Sequence, residues 1–141
     1  MRGDAPTRSR PGMGRIASVQ PSCPCGFPQP YDACCGRFHR GEATPTAELL
    51  MRSRYAAFAV GDEAYLLQTW HPDTRPHRLR LDPEDRWTRL EIVGGSGGGL
   101  LEPTGTIEFR AHRSHRGRAD VLHENSRFVR HDGRWSYVGP V

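Results

Sequence analysis

Apolar residues recur at helical spacing in the first half of the chain and alternate in the second. Between Thr44 and Gly61, the residues Ala47, Leu50, Met51, Tyr55 and Phe58 fall on one side of a helix at about 100° per residue. Thr44-Pro45 reads as an N-cap followed by proline at the first helical position, and Gly61 reads as the stop. Arg54 falls in the middle of that apolar stripe, whereas Arg52 points away. An arginine placed there must snorkel outward or meet an acidic partner inside. Asp62 is positioned to cap a second short helix reaching about Trp70, with Tyr65, Leu66 and Trp70 on its apolar side and Pro72 ending it.

After a loop rich in proline and aspartate over residues 71–86, with one helical turn near 83–86, the period becomes two. Strands are expected over 87–93, 105–113, 118–131 and 134–138, with Arg116-Gly117 and Asp132-Gly133 as hairpin turns. The glycine run over 94–99 is expected to be a flexible turn. It is no phosphate loop, because no Lys-Ser/Thr follows it and its flanks look like strands. Two helices followed by a mainly antiparallel sheet give an α+β fold with helices on one face.

At 141 residues the chain is long enough for one domain with a small appendage. The formal charge of +4 is uneven. Arg2, Arg8, Arg10 and Arg15 face only Asp4 within residues 1–20, and the rest is close to neutral. That segment has few large apolar side chains and is expected to be a disordered tail. Every basic residue is arginine, as in the coding bias of a GC-rich genome, so the arginine excess is weak support for phosphate binding. The near-neutral remainder disfavours nucleic acid as the partner. No apolar run approaches a membrane span and no signal peptide is visible, so a cytoplasmic location is the default expectation.

All four cysteines lie within fourteen residues: Cys23-x-Cys25, eight residues, then Cys34-Cys35. Four thiolates can close a tetrahedral shell around one zinc ion, leaving no open position for water, so such a site is structural. A disulfide framework needs an oxidising compartment. A redox pair more often takes C-x-x-C, and four incidental buried thiols would not cluster so closely. His39, four residues past Cys35, is an alternative fourth ligand.

This C-x-C-x8-C-C segment resembles the SEC-C zinc motif, named for the C-terminal tail of the SecA translocase. Further on, Thr46-Ala47-Glu48-Leu49-Leu50-Met51-Arg52-Ser53-Arg54-Tyr55, then Tyr65-Leu66-Leu67-Gln68-Thr69-Trp70-His71-Pro72, then Leu122-His123-Glu124-Asn125-Ser126-Arg127-Phe128 resemble the bacterial YchJ-like family. The resemblance runs from about residue 21 to about 139. It implies a zinc segment over 21–43 followed by a nuclear-transport-factor-2-like (NTF2-like) α+β cone over 44–141. It carries no established activity with it. The SEC-C likeness implies that Cys23, Cys25, Cys34 and Cys35 hold Zn2+ and that the segment meets a protein or ribosomal partner. The cone likeness implies a cavity able to take a small molecule.

Candidate cavity residues are polar residues at otherwise buried positions. Arg54 leads, with Tyr55 beside it, as an anion anchor. Trp70 and His71 end the second helix. Glu108, His123, Glu124, Asn125 and Arg127 come from the strands. The segment 122–128 is unusual in carrying five successive polar residues. Leu122, Glu124, Ser126 and Phe128 would share one face, and His123, Asn125 and Arg127 the other, so one face meets solvent and the other a polar cavity, or the strand is bulged. Glu124 with His71 or His123 is the candidate acid–base pair for an enzymatic reading. His112 and His115 flank a turn on the solvent side. No nucleophilic triad, nucleotide loop or catalytic-metal triad is present in the sequence.

Overall fold

A computed structural model describes residues 21–141. The expected disordered tail lies outside the described residues. After a 3-10 turn at Tyr31–Ala33, the elements are α1 (Cys35–His39), α2 (Ala47–Val60), α3 (Glu63–Gln68), β1 (Asp85–Gly97), β2 (Thr104–His115), β3 (Arg118–His131) and β4 (Arg134–Pro140). The four strands form an antiparallel meander in the order β1-β2-β3-β4. This is the α+β arrangement expected from the change of period.

Helix α2 is capped two residues later than its sequence suggests. Thr46, not Thr44, is the N-cap, and its hydroxyl accepts from the Leu49 N–H at 3.2 Å. Thr44 and Pro45 instead precede the helix, where the Pro45 carbonyl accepts from Trp135 Nε1 at 3.2 Å. Gly61 ends the helix in the left-handed conformation, with φ +80°. Asp62 caps α3 by accepting from the Tyr65 N–H at 3.0 Å. That helix stops at Gln68, and Trp70 forms a single parallel bridge to Tyr137 of β4.

The largest departure is the glycine run. Gly94, Gly95 and Gly97 belong to β1 and pair with Glu108, Ile107 and Gly105 of β2, so the turn begins only at Gly98. A side chain at Gly95 would collide with the Thr106 carbonyl. At Gly98, φ is +79° and a Cβ would stand 2.8 Å from Ala47 Cβ, while its carbonyl accepts from the Ala47 N–H at 2.9 Å. The run is therefore glycine because backbone packs against backbone and against the first turn of α2. At the other two hairpins, Arg116 and Asp132 take φ +52° before Gly117 and Gly133, as tight turns of this kind demand.

Leu50, Met51 and Tyr55 of α2 pack on Ile107, Phe109 and Phe128 of the sheet. On its other sides α2 is also covered. Ala57 joins Phe38, Tyr65 and Leu66, and Ala56 packs on the cysteine segment. A helix buried on three sides needs small residues where neighbours approach closely, which explains Ser53, Ala56 and Ala57 between the larger side chains.

Candidate functional sites: a cysteine knuckle and a cone cavity

The four cysteines converge as their spacing implies. Cys23 and Cys25 lie on a tight turn closed by Cys23 N–H to Gln29 O at 2.7 Å and Gly26 N–H to Cys23 O at 3.1 Å. Cys34 and Cys35 sit at the start of α1. All four are buried, none forms a disulfide, and their sulfur atoms all lie within 4.8 Å of one another. Cys25 Sγ and Cys34 Sγ are 3.6 Å apart. Four sulfurs at the usual Zn–S length of about 2.3 Å would stand about 3.8 Å apart in a tetrahedron, so the donor set and its spacing fit a thiolate-bound metal.

Without a cation these thiols perturb one another. Hydrogen bonds from Cys25 and Cys35 hold the Cys23 thiol far below the ordinary thiol range. Burial pushes Cys34 up, and hydrogen bonding to Cys23 and Cys25, with burial, pushes Cys35 up. Ionising all four thiols in one small volume would call for a cation.

His39 does not join the shell. Its Nε2–H donates to Ser53 O at 2.8 Å, and its Nδ1 accepts from the Tyr31 hydroxyl at 2.6 Å. It stitches the knuckle to α2 instead. Arg52, which points away from the main core, does the same work. Its Nη1 donates to Cys25 O at 2.8 Å, its Nε donates to Glu48 at 3.0 Å, and its guanidinium lies 4.1 Å from the Phe27 ring centroid.

The second site is a cavity of about 360 Å³ between α2, the 79–82 loop and the inner face of the sheet. Arg54 lines it and is only 4% exposed. It does not snorkel, and it pairs with no acid among the described residues. Its Nη1 donates to Leu66 O at 2.8 Å and to Thr69 Oγ1 at 2.7 Å, and its planar group lies near the rings of Tyr137 (4.5 Å) and Trp70 (5.1 Å). Burial pulls Arg54 down to about 10, which still leaves it charged at neutral pH. Glu124 also faces the cavity. Its Oε2 accepts from the Tyr137 hydroxyl at 2.8 Å and the Ser126 hydroxyl at 2.5 Å. Burial, then the adjacent Glu124 carboxylate, raise the Tyr137 phenol far above its ordinary range.

The remaining candidates divide by face. Tyr55 and Trp70 line the cavity with Arg54 and Glu124. His123, Asn125 and Arg127 are exposed on the opposite face of β3, as the alternation requires. Glu108 is on that outer face too, accepting from or sharing a proton with His123 Nε2 at 2.7 Å. His71 turns away from the cavity: its Nδ1 accepts from the Asp73 N–H at 3.0 Å and its ring meets His131 edge-on at 4.9 Å. Neither histidine therefore reaches Glu124, and the expected acid–base pair is not assembled. Nor is His115 a free solvent residue, since its Nδ1 lies 2.8 Å from Asp85 at the cavity rim. His112 likewise meets Glu91 at 2.7 Å.

Sequence reasoning did not select Ser126, Tyr137 or Trp87 as cavity residues. Ser126 shares the face of Glu124, and Tyr137 shares its face with Trp135, so the alternation contained both signals.

A sheet meander with helices on one face and a four-cysteine segment ahead of it defines an NTF2-like domain with an N-terminal knuckle. The family described as "YchJ, middle NTF2-like domain" matches residues 46–140. Among relatives, a UPF0225 protein of Streptomyces coelicolor is 59% identical over 84% of this chain and 93% of its own. A UPF0225 protein of Chromobacterium violaceum is 48% identical, over 83% and 90%. The solution structure of a SEC-C motif containing protein from Rhodopseudomonas palustris superposes with a TM-score of 0.72 at 33% identity, covering 85% of this chain and 97% of that one. A crystal structure of a SEC-C motif containing protein from Psychrobacter arcticus gives 0.70 at 27% identity, covering 89% and 84%. The chain belongs to the UPF0225, or YchJ-like, family. Among the described residues, no helix is long and apolar enough to cross a membrane.

Proposed function

We propose that this chain is a cytoplasmic structural-zinc protein that works by binding. Cys23, Cys25, Cys34 and Cys35 hold one Zn2+ as thiolates, and the knuckle so formed offers a surface to a protein or ribosomal partner. The cavity beneath α2 takes a small molecule. The observation that carries the metal assignment is the convergence of four buried, unbridged thiols within 4.8 Å. The SEC-C description of two structural neighbours supports it. A closed four-ligand shell fits a structural role rather than catalysis by the ion. An enzymatic reading would need a proton-transfer partner for Glu124, and the two histidines considered for that role stand elsewhere.

The test is metal content of protein purified without added metal, with thiol titration before and after chelation. The expected result is one zinc per chain and four thiols that react only after chelation. Metal-free protein with a disulfide among these cysteines would overturn the proposal. The interaction surface is tested by pull-down with Cys23→Ser: the partner should be lost, and one retained at full strength would argue against a metal-held docking surface.

A further inference from the structure

We propose that the cavity binds a small amphipathic organic acid, with its carboxylate on the free edge of the Arg54 guanidinium and its apolar body among Tyr55, Phe58 and Trp87. This deepens the small-molecule part of the proposed function and rests on it. It does not depend on which metal the knuckle holds.

The geometry of Arg54 selects the ligand group. A guanidinium has five N–H donors, and two adjacent ones form a fork matched to a carboxylate. Both donors of Nη1 are taken, by Leu66 O and Thr69 Oγ1. That leaves the side-on fork made by Nε and Nη2, which has no hydrogen-bond partner among the described residues. Neither nitrogen is sealed. The one sealed, unpaired side-chain nitrogen among the described residues is Trp70 Nε1. The fork therefore opens on the cavity that Arg54 lines. Tyr137 and Trp70, themselves set edge to face, both lie beside the guanidinium and restrict its movement.

The surroundings select the rest of the ligand. The cavity walls are largely aromatic and aliphatic, with Met51, Tyr55, Phe58, Trp87, Phe109 and Leu122 among them. A volume of about 360 Å³ suits a compact molecule rather than a nucleotide or a peptide. A phosphate dianion would call for a second deep cation. The other arginines lining the cavity, Arg80 and Arg113, are nearer solvent, and Arg113 is already shared between Asp85 and Asp120. Glu124 sets the limit on affinity. It fixes Tyr137 beside Arg54 through the 2.8 Å hydrogen bond, and its own charge opposes a second anion. Glu124 is thus a positioning residue that also weakens carboxylate binding.

The experiment is a fluorescence titration of the full chain, metal content checked in each sample, with sodium phenylacetate and sodium octanoate. Trp70 and Trp87 line the cavity and report on its filling, whereas Trp135 is tied to Pro45 O elsewhere. Both acids should give a saturable change. Phenylacetamide and octanol should bind at least about tenfold more weakly, since they lack the charge that the fork recognises. Arg54→Lys should cost about tenfold by keeping the charge and losing the fork. Arg54→Lys also disturbs the contacts to α3, so two further variants keep the test decisive. Glu124→Gln should tighten the acids several-fold relative to the neutral probes. Ala111→Phe should abolish binding by filling the apolar space without touching Arg54. Equal affinity for the acids and their neutral analogues, preference for phenethylamine, or no saturable response to either acid would overturn the proposal. A normal zinc content beside such a result would leave the metal assignment standing, and missing zinc beside carboxylate selectivity would do the reverse.

Discussion

The knuckle and the cone are held by different forces, though they share helix α2. The cone closes by ordinary burial: Leu50 and Phe128 are almost wholly excluded from solvent between helix and sheet. The knuckle has little apolar surface to bury. Its centre is four thiols, and besides Phe38 against Ala57 and the cysteines against Ala56, its grip on the helix is polar, through Arg52 to Cys25 O and His39 to Ser53 O. The cone should keep its fold when the metal proposed for the knuckle is removed, and the knuckle should not. A segment too small for a core must draw its order from a ligand or from a neighbour.

Metal removal should separate the two regions most sharply. Zinc in small thiolate sites contributes on the order of 10 kcal/mol or more to the fold it nucleates. Chelation should therefore abolish amide protection over residues 23–39 and leave the strands protected in hydrogen exchange. Protection of the knuckle unchanged by chelation would mean that its own packing suffices. The reverse experiment is Phe128→Ala, at a position with 0% exposure. It should cost about 3–5 kcal/mol in urea unfolding, while the thiols of the still-folded fraction stay shielded. A loss below about 1 kcal/mol would show that the cone core collapses around the gap.

Arg52→Ala tests the seam. It removes one hydrogen bond to a carbonyl, an ion pair with Glu48 and a ring contact with Phe27. A local cost of about 1–2 kcal/mol follows, read as faster metal loss to a chelator with the melting of the cone barely moved. Thr46→Ala should cost about 1 kcal/mol through the lost cap, now on the cone side only. The same change at Thr44 should leave the helix start intact.

The tyrosines give a comparison that vanishes at neutral pH. Burial raises all four, pushing Tyr55 and Tyr65 up to about 12. An unfolded tyrosine ionises near pH 10, so above that pH the unfolded state releases protons that the folded state keeps. Stability should be unaffected below about pH 9 and fall as pH climbs from 10 toward 12. Phenolate absorbance should appear late in the folded protein. A normal titration of any of the four near pH 10 would show that its burial is not maintained in solution.

Much of this architecture was legible in the chain. Gly61 and Asp62 marked the break between helices because each has a local chemical reason to be there. The face assignment of 122–128 held because a strand permits only alternation. That same alternation already separated His123 from Glu124, since neighbouring residues on a strand point to opposite faces. His71 was harder to place: it follows the last helical residue, and the bridge from Trp70 to Tyr137 decides where it turns. The glycine run was misleading because composition alone does not distinguish a flexible turn from a strand squeezed against a helix. The pairing of Gly94, Gly95 and Gly97 with β2 and the closeness of Gly98 to Ala47 tell them apart. The fate of Arg54 depended on two neutral acceptors distant in sequence, Leu66 O and Thr69 Oγ1, which no periodicity could reveal.

The bond from Ala47 N–H to Gly98 O also makes α2 a lever. The helix is pinned at its first residue, where the missing side chain of Gly98 lets it sit against the sheet. Over its 14 residues it extends about 21 Å from that pivot. One degree of tilt then displaces Gly61 by roughly 0.4 Å and Ala47 hardly at all. Phe58 lies near the sweeping end and Arg54 midway along. Any force applied through the knuckle, which grips the shaft at Arg52 and Ser53, would widen or narrow the aperture beside Phe58 while leaving the fulcrum in place.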